Sequence, residues 1–294
     1  MKVAVAKYPV GAPRDFTEFS DKQTQLLAEA ARAGATVAVL PEYLSLELAA
    51  TFDAAISAEL IASLSAIQQY RQRWLDLYSQ LAREHRLHLV AGSFLLAQGQ
   101  DRYRNRSDWF TPEGAHDWQD KLQLTGFEKS TGVIQAGDAL KVFEAQEVRA
   151  GLSVCYDVEF PIPVRAQCES GARLLLVPSC TDTEAGATRV RTGCLARALE
   201  NRLFVAQSVT TGEAAWSPAL DTNTGEAAIY APMDVGLPAD GIVVQTRADQ
   251  VWAMAELDFE ALEASRVRAQ VANDRDWNGQ LAPRITRAAL SKPT

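Results

Sequence analysis

The amino-acid sequence predicts an α/β protein in which helices cover the outer faces of mixed β-sheets. Short apolar runs typical of buried strands alternate with amphipathic stretches of helical spacing along most of the 294 residues. Several strand-like runs follow one another directly, as in hairpins, so we expect parallel and antiparallel neighbours in the sheets. No internal repeat or flexible linker interrupts this alternation. We therefore expect one domain at residues 1–267 and a tail at 268–294.

The first half of the chain contains the clearest amphipathic pattern. Phe16, Phe19, Leu26 and Leu27 recur at helical spacing, and Gly34 follows them as a helix stop. We expect strands at residues 2–7, 36–40 and 87–92, helices at 15–32 and 58–86, and an antiparallel hairpin at 102–118 with its turn at 112–114.

The second half continues the alternation after a stretch that is expected to be an irregular loop, residues 119–138. Pro161 begins a helical stretch, where its missing N–H group loses no hydrogen bond. We expect helices at 161–170, 184–201 and 259–269, and strands at 140–143, 147–154, 172–177, 203–209, 227–230, 241–245 and 250–256.

Composition and charge exclude several classes of protein. Hydrophobic residues make up 47% and charged residues 22% of the chain, which excludes a disordered or fibrous protein. The net charge is −8 and no Lys/Arg-rich run occurs, so no nucleic-acid partner is expected. No apolar run approaches the roughly 20 residues of a membrane helix, so no membrane partner is expected. The short apolar run after Met1 is interpreted as a core strand rather than a signal peptide, which predicts a cytoplasmic protein.

Cys155 is the strongest candidate for a reactive residue. An apolar strand runs straight into it, and a polar turn and a Pro-started helix follow. A nucleophile at such a turn is held rigidly, and the following backbone N–H groups face a developing oxyanion. The alternative is a buried structural cysteine, the usual fate of an isolated Cys. Cys168, Cys180 and Cys194 form no C-x-x-C pair, and we expect them to be inert free thiols.

The base for this thiol is expected to be a carboxylate. His85 and His88 have the spacing of a metal pair but no further ligand nearby, and His116 lies in the expected hairpin, so neither a His base nor a metal site is predicted. Glu42 follows Pro41 at the end of a buried strand, where burial raises a carboxyl pKa toward neutrality. Its alternative role is that of a helix-cap or salt-bridge acid.

Several short segments form an ordered set along the chain: Pro41-Glu42, Lys121-Leu122, Cys155-Tyr156-Asp157, Phe160-Pro161, Gly171-Ala172, Val177-Pro178-Ser179 and Arg197-Ala198-Leu199-Glu200-Asn201. Lys121, which alone would be interpreted as a solvated surface group, lies in one of them. Together these segments resemble the signature of the nitrilase superfamily, the carbon–nitrogen hydrolases. The resemblance covers roughly residues 1–260 and is greatest to bacterial members in which this domain is joined to an N-acetyltransferase domain.

The resemblance implies a four-layer α-β-β-α sandwich with a Glu–Lys–Cys triad that needs no metal or cofactor. It implies that Glu42 takes the thiol proton, that Cys155 attacks the substrate carbon and that Lys121 stabilises the oxyanion. The backbone N–H group of Tyr156 is expected to be a second oxyanion donor. Glu128 matches an additional family glutamate that orients the lysine or the substrate amide. A cationic Lys121 near the thiol is expected to favour the thiolate.

The chain departs from the family pattern at two places expected to lie near the substrate. Glu159 stands where many relatives carry Arg, and Cys180 and Thr181 lie where an aromatic residue is often found. The common substrates of the family are therefore not carried over to this chain. Glu159 suggests a polar or cationic substrate, and its alternative is an ion pair with Arg165 or Arg191.

These observations predict a cofactor-free cysteine amidohydrolase that acts on a small linear amide. Nitrile hydrolysis and N-carbamoyl hydrolysis by the same triad are alternatives, and a catalytically silent scaffold of the same fold is an alternative of another class. Asp157 and Glu200 are expected to be structural supports. The resemblance also implies a homodimer or larger assembly, packed through the helices at 161–170 and 184–201 and the tail after Ala269. That tail carries an apolar set that a free tail would not need: Trp277, Leu281 and Ile285.

Overall fold

Strands and helices alternate along the residues that the structure, a computed structural model, describes: 1–99, 101–283 and 285–291. The strands are β1 (Lys2–Pro9), β2 (Val37–Leu40), β3 (His88–Gly99), β4 (Arg102–Phe110), β5 (His116–Asp120), β6 (Ile134–Gln135), β7 (Val142–Ala145), β8 (Val148–Leu152), β9 (Leu174–Ser179), β10 (Phe204–Glu213), β11 (Thr222–Asn223), β12 (Ala228–Tyr230), β13 (Ile242–Gln245) and β14 (Trp252–Glu256). The α-helices are α1 (Phe16–Arg32), α2 (Ala54–Ser57), α3 (Leu60–Ile67), α4 (Arg71–His85), α5 (Gly126–Ser130), α6 (Pro161–Glu169), α7 (Glu184–Asn201), α8 (Phe259–Arg268) and α9 (Asn273–Asp276). Short 3₁₀ segments occur at Leu44–Thr51, Gln68–Tyr70, Cys155–Glu159 and Trp277–Leu281.

The main strands follow one another in the order β5-β4-β3-β2-β1-β10-β9-β8-β7. β1, β2 and β3 are parallel, as are β10, β9 and β8, whereas β4, β5 and β7 pair antiparallel with their neighbours. β1 links two halves of the sheet, because its residues 2–6 pair with β14 and its residues 7–9 pair with β10. The mixed sheet expected from the sequence is confirmed.

The two halves of the sheet stack face to face, with helices on both outer sides. One core cluster contains Val3 of β1 together with Leu176 of β9, so the halves bury apolar side chains against each other. On the outer face of the first half, Phe19 of α1 and Trp74 of α4 stack with their ring centroids 5.9 Å apart. α6 and α7 cover the other half, for example through Val164. The four-layer α-β-β-α architecture is therefore confirmed.

The single long helix expected at residues 58–86 is wrong, because the structure divides this stretch into α3 and α4. Gln68 marks the break: its Nε2 donates to the carbonyl of Leu95 at 2.8 Å, and its Oε1 accepts from the N–H of Ala97 at 3.0 Å. This side chain ties the bend to the outer part of β3. The apolar spacing continues through the bend without Gly or Pro, so the sequence pattern contains no signal for it.

The hairpin expected at residues 102–118 is confirmed as β4 and β5, which pair antiparallel. The N–H of Gly114 donates to the carbonyl of Thr111 at 2.7 Å and closes the turn. The stretch expected to be an irregular loop contains the short helix α5. Thr125 and Glu128 form a reciprocal capping box at its start, which explains how so short a helix is stabilised.

A bulge in β3 fits against the turn that follows β2. Gly92 has φ +66°, and a Cβ atom there would lie 2.3 Å from the carbonyl oxygen of Pro41, so only glycine permits this close approach. The next residue, Ser93, accepts a hydrogen bond from the backbone N–H of Tyr43 through its Oγ at 2.8 Å. These contacts fix the backbone on both sides of Glu42.

The segment after α8 packs partly on its own chain. Arg165 of α6 donates to the carbonyl of Asp274 at 3.0 Å, and its guanidinium lies 5.0 Å from the ring centroid of Trp277. Leu281 and Ile285 are 57% and 64% exposed. The division at residue 267 and the packing of the tail on a partner stay predictions. None of the helices in the described ranges has the length and apolarity needed to cross a membrane.

Candidate active site

Three strand ends and one hairpin end bring the predicted site residues into a single cavity of about 220 Å³. Glu42 follows β2, Cys155 follows β8 and Cys180 follows β9, and each of these strands is parallel to its inner neighbours. Lys121 follows β5, the second strand of the hairpin. The cavity lining includes all of the predicted residues except Glu128: Glu42, Lys121, Cys155, Tyr156, Glu159, Cys180 and Thr181.

Lys121 lies between two buried carboxylates. Its Nζ is 2.8 Å from Oε1 of Glu42 and 2.8 Å from Oε2 of Glu128. The side chains of all three residues are at most 1% exposed. Glu42 and Glu128 therefore fix the ammonium group from opposite sides, and one cation balances only one of the two negative charges.

Glu128 is bound on both of its oxygens by protein groups. Its Oε2 accepts from the N–H of Thr125 at 2.9 Å and from Lys121, and its Oε1 accepts from Nδ2 of Asn105 at 3.2 Å. It does not line the cavity described above. Of the two roles expected for Glu128, this geometry favours orienting Lys121 over contacting the substrate amide.

Asn105 is a site residue that the sequence analysis missed. It lies in β4 and is fully buried, and its Nδ2 donates to Oε1 of Glu42 at 2.8 Å as well as to Glu128. Its backbone carbonyl also accepts from the N–H of Lys121 at 2.9 Å. The sequence shows only a polar residue within a mixed polar and aromatic strand, which gives no sign of these three contacts.

Cys155 begins the 3₁₀ turn after β8 with φ +50°, an uncommon conformation for a residue with a side chain. Tyr43, directly after Glu42, has φ +61°. Such strained conformations concentrate at functional sites when the surrounding structure holds them. Cys155 as a whole residue is 4% exposed, and its thiol donates a hydrogen bond to the backbone carbonyl of Cys180 at 3.5 Å.

Asp157 holds the nucleophile turn and the lysine segment together. Its carboxylate accepts hydrogen bonds from the N–H groups of Leu122 at 3.1 Å, Gln123 at 2.6 Å and Val154 at 3.2 Å. One buried side chain thus bridges the residue before Cys155 and the two residues after Lys121. This arrangement agrees with the structural support expected of Asp157.

Burial and mutual charges perturb the pKa values of the three charged groups. Burial raises the pKa of the Glu42 carboxyl, with Glu128 adding to the rise and Lys121 opposing it. Burial also opposes the charge of Glu128, but Lys121 and the hydrogen bonds from Thr125 and Asn105 outweigh it and lower that pKa. Burial opposes the charge of Lys121, but the two carboxylates raise its pKa well above the usual value. Of the two carboxylates, Glu42 is therefore the stronger base, and Lys121 stays a cation.

The environment of Cys155 disfavours the thiolate form of its side chain. Burial and the negative Glu42 raise its pKa well above the usual value, and the positive Lys121 only partly offsets them. Lys121 acts in the expected direction, since it lowers this pKa, but burial and the negative Glu42 outweigh it. Attack by this sulfur needs a base to accept the proton, and Glu42 lies in the same cavity.

Cys180 binds Glu42 through its backbone, and Thr181 is held in the cavity wall by a hydrogen bond from its side chain. The N–H of Cys180 donates to Oε2 of Glu42 at 3.1 Å, and burial raises the pKa of its thiol to about 12. The hydroxyl of Thr181 donates to the carbonyl of Thr224 at 2.6 Å. Tyr156 lines the cavity and packs edge-to-face on Phe160 at 4.9 Å between ring centroids.

Glu159 lies at the cavity and forms its ion pair with an arginine that the sequence analysis did not name. Its Oε1 is 3.6 Å from Nε of Arg189, a residue of α7 that also lines the cavity. The expected pairing with Arg165 or Arg191 is wrong: Arg165 pairs with Glu169 one helical turn along, and Arg191 lines a different cavity. No sequence pattern indicates Arg189, because its contact with Glu159 depends on how α7 packs against the 3₁₀ segment that ends at Glu159.

The histidines and the remaining cysteines lie away from this cavity. His88 accepts from the N–H of Gln146 at 3.1 Å, and His116 contacts Asp108 at 2.8 Å. Cys168 and Cys194 are buried and do not line it. Among the described residues, no group of three or more His, Cys, Asp or Glu side chains is arranged to hold a metal ion.

Comparison with known proteins places this chain among relatives of the same architecture. It is 27% identical over 279 residues to the probable hydrolase YhcX of Bacillus subtilis, covering 94% of this chain and 53% of YhcX, so the chain spans about half the length of that relative. It is 30% identical over 210 residues to the 2-oxoglutaramate amidase of Paenarthrobacter nicotinovorans, covering 67% of this chain and 66% of that enzyme. The likeness to members joined to an N-acetyltransferase domain stays a prediction.

The fold and the sequence profile agree with these relatives. Crystalline Nit3 of Saccharomyces cerevisiae, a nitrilase-superfamily protein, superposes with a TM-score of 0.73 at 20% identity, covering 94% of this chain and 96% of Nit3. The profile of the carbon-nitrogen hydrolase family matches residues 2–243, most of the chain and every candidate site residue named above. The chain therefore belongs to the carbon-nitrogen hydrolase family.

Proposed function

We propose that the protein is a cysteine-dependent amidohydrolase that converts a small linear amide to a carboxylic acid and ammonia. One observation carries this proposal: Lys121, clamped between Glu42 and Glu128, shares a cavity with the Cys155 thiol. A cavity of about 220 Å³ suits a small substrate. The named activity of the 2-oxoglutaramate amidase, an amide hydrolysis, supports the same reaction class.

The first step is attack of the Cys155 sulfur on the amide carbon. Glu42 accepts the thiol proton as the C–S bond forms, because its raised pKa makes it a stronger base than an exposed carboxylate. The carbonyl oxygen becomes an oxyanion, which Lys121 and the backbone N–H of Tyr156 stabilise. These donors are in place before the charge develops, which is the main source of such stabilisation.

The second step expels ammonia and leaves a thioester on Cys155. Protonated Glu42 donates its proton to the nitrogen while the C–N bond breaks. A water molecule then attacks the thioester carbon, and Glu42 accepts a proton from it. Collapse of this second intermediate breaks the C–S bond, releases the carboxylic acid and returns the proton to the thiol.

Amide hydrolysis is preferred over the alternatives because protonated Glu42 can supply the proton that departing ammonia needs and because a relative of this chain is named as an amidase. Nitrile hydrolysis and N-carbamoyl hydrolysis begin with the same attack and need the same three residues. Contact between Glu128 and the leaving amide group does not support the preference, because Glu128 is saturated by Lys121, Thr125 and Asn105. The preference is tested by ammonia release from amides, nitriles and carbamoyl compounds of one carbon skeleton.

Replacement of the nucleophile tests the whole proposal. Cys155→Ala should abolish ammonia release from every amide in the panel, while Cys168→Ala, which removes a thiol outside the cavity, should retain it. Retained activity in Cys155→Ala would contradict the proposal. A catalytically silent scaffold would release no ammonia from any member of the panel, even as the unmodified protein.

We also propose that the protein forms a homodimer or larger assembly through α6 and α7. Ile162 of α6 is 75% exposed and Leu199 of α7 is 38% exposed, and large apolar side chains on neighbouring helices favour burial against a partner. Light scattering should give at least twice the 32.1 kDa of one chain at micromolar concentration. A mass of one chain would contradict this assembly.

A further inference from the structure

The outer wall of the candidate active-site cavity is acidic. It is lined by the carboxylates of Glu159, Asp182 and Asp221 and by one cation, Arg189. Glu159 and Arg189 lie 3.6 Å apart and largely neutralise each other. Asp182 and Asp221 are exposed, and neither takes part in an ion pair within residues 1–99, 101–283 and 285–291. The wall therefore presents an excess of negative charge to an incoming ligand.

The inner end of the cavity does not offset this charge. Lys121 is held at 2.8 Å by both Glu42 and Glu128, so the buried group as a whole is also negative by one charge. Among the residues that the structure describes, every lysine and arginine that lines the cavity is already paired with a carboxylate, so none is available to bind an anionic substrate. Repulsion of this kind selects against a ligand as effectively as attraction selects for one.

Two aromatic side chains line the same cavity as these carboxylates. Phe127 of α5 lines the cavity and is 43% exposed, and Tyr156 lines it as well. The face of an aromatic ring attracts ammonium groups, and its attraction adds to that of nearby carboxylates. Carboxylates together with exposed aromatic faces form the chemical environment that proteins use to bind organic cations.

We infer that the substrate carries a cationic group, such as a primary ammonium, at the end remote from the amide that is cleaved. This inference rests on the proposed amidohydrolase function and adds the charge of the substrate to it. It separates this chain from its relative named for 2-oxoglutaramate, an amide whose remote end is a carboxylate. Asp182 and Asp221 are then specificity-determining residues, and the Glu159–Arg189 pair lines the same cavity without adding net charge.

The charge preference is tested with three amides of one chain length that end in an ammonium, a methyl or a carboxylate group. We expect kcat/KM to fall in that order, by about fivefold at each step, the effect of one partly exposed ion pair. A carboxylate amide that is turned over as well as the methyl amide, or better, would overturn the inference.

Charge-removing variants locate the preference. Asp182→Asn and Asp221→Asn should each lower the ratio of kcat/KM for the ammonium amide to that for the methyl amide, and the double variant should lower it most. Arg189→Gln should raise the same ratio. Asp249→Asn removes an equal charge from a turn outside the cavity lining and should leave the ratio unchanged. An unchanged ratio in the double variant would overturn the inference.

Failure of the proposed function can be told apart from failure of this inference. If none of the three amides releases ammonia, the proposed reaction is contradicted, and binding still reports the charge preference. The three amides are then compared as protectants of the Cys155 thiol against iodoacetamide, with the labelled residue identified by mass spectrometry. Stronger protection by the ammonium amide supports the inference, and equal protection by all three overturns it.

Discussion

Asn105 donates a hydrogen bond to Glu42, with its Nδ2 2.8 Å from the carboxylate Oε1. The same nitrogen reaches Glu128 at 3.2 Å, and the backbone carbonyl of Asn105 accepts from the N–H of Lys121. A single residue of β4 therefore contacts all three charged groups of the candidate site. A hydrogen bond to a carboxylate stabilises its charged form and holds down its pKa.

Asn105→Leu should shift the pH dependence of the reaction. Without the Nδ2 donor, the pKa of Glu42 rises further, so Glu42 becomes protonated at a higher pH and the acid limb of kcat/KM moves upward. Asn105→Leu leaves the charged and titratable groups that face Glu42 in place: Lys121, Glu128, Tyr43 and the thiols of Cys155 and Cys180. A loss of kcat/KM that is equal at every pH would instead indicate a purely structural role for Asn105.

The unmodified protein should lose activity on the acid side well before an exposed carboxylate would titrate. Glu42 must be ionised to accept the thiol proton, and its raised pKa places the acid limb above the usual value of about 4.3. Lys121 must be charged, and its raised pKa keeps it so beyond its usual value of about 10.4. An alkaline decline in activity that begins below pH ~9 and disappears in Lys121 variants would contradict this assignment.

The alternation of strands and helices in this fold follows from patterns that a sequence displays directly, whereas the four-layer arrangement was implied by the family resemblance. Apolar runs marked most of the longer strands, and Pro161 marked the start of α6, whereas the two-residue strands β6 and β11 were not predicted. The sequence pattern did not predict the break between α3 and α4, because the break depends on contacts between Gln68 and β3, about 30 residues further along the chain. Local periodicity reports burial along one element and contains no information about a contact of that kind.

The candidate site shows the same division. Glu42 and Cys155 directly follow apolar strands, a position that the sequence pattern itself indicates as a candidate site. The family resemblance added Lys121. Asn105 and Arg189 were missed because each acts through a partner distant in the chain, Glu42 in one case and Glu159 in the other. The protonation state of the thiol was also beyond the sequence, since it depends on the balance of three buried charges.

Glu42→Gln should separate turnover from thiol reactivity. Removing the base should abolish ammonia release, yet removing its negative charge beside Cys155 should lower the pKa of the thiol and leave Lys121 to favour the thiolate. Iodoacetamide labelling of Cys155 should therefore become faster near neutral pH in this variant. Cys194, which is fully buried away from the cavity and whose thiol pKa is raised by burial, should stay unlabelled and serves as the internal control. Slower labelling of Cys155 would show that Glu42 does not hold the thiol protonated.

Lys121→Met should reduce both activity and stability. Loss of one preorganised oxyanion donor lowers kcat by a factor of about 100–1,000. Loss of the only cation between Glu42 and Glu128 leaves two buried carboxylates facing each other, and breaking a buried ion pair in this way typically costs about 3–5 kcal/mol. Thermal unfolding near neutral pH measures the loss.

The same variant should become more stable as the pH is lowered. In the unmodified protein, Lys121 has a raised pKa in the folded state, so its contribution is complete at neutral pH and is lost only as the pH rises through that high value. In Lys121→Met, the carboxyls of Glu42 and Glu128 lose their cation and their pKa values rise above the unfolded value of about 4.3. The folded state then binds more protons than the unfolded state between that value and neutrality, so the free energy of unfolding falls as the pH rises. Adding Glu42→Gln and Glu128→Gln to Lys121→Met removes both charges and should abolish this pH dependence. A triple variant that keeps the full pH dependence of the single variant would show that these two carboxylates are not its source.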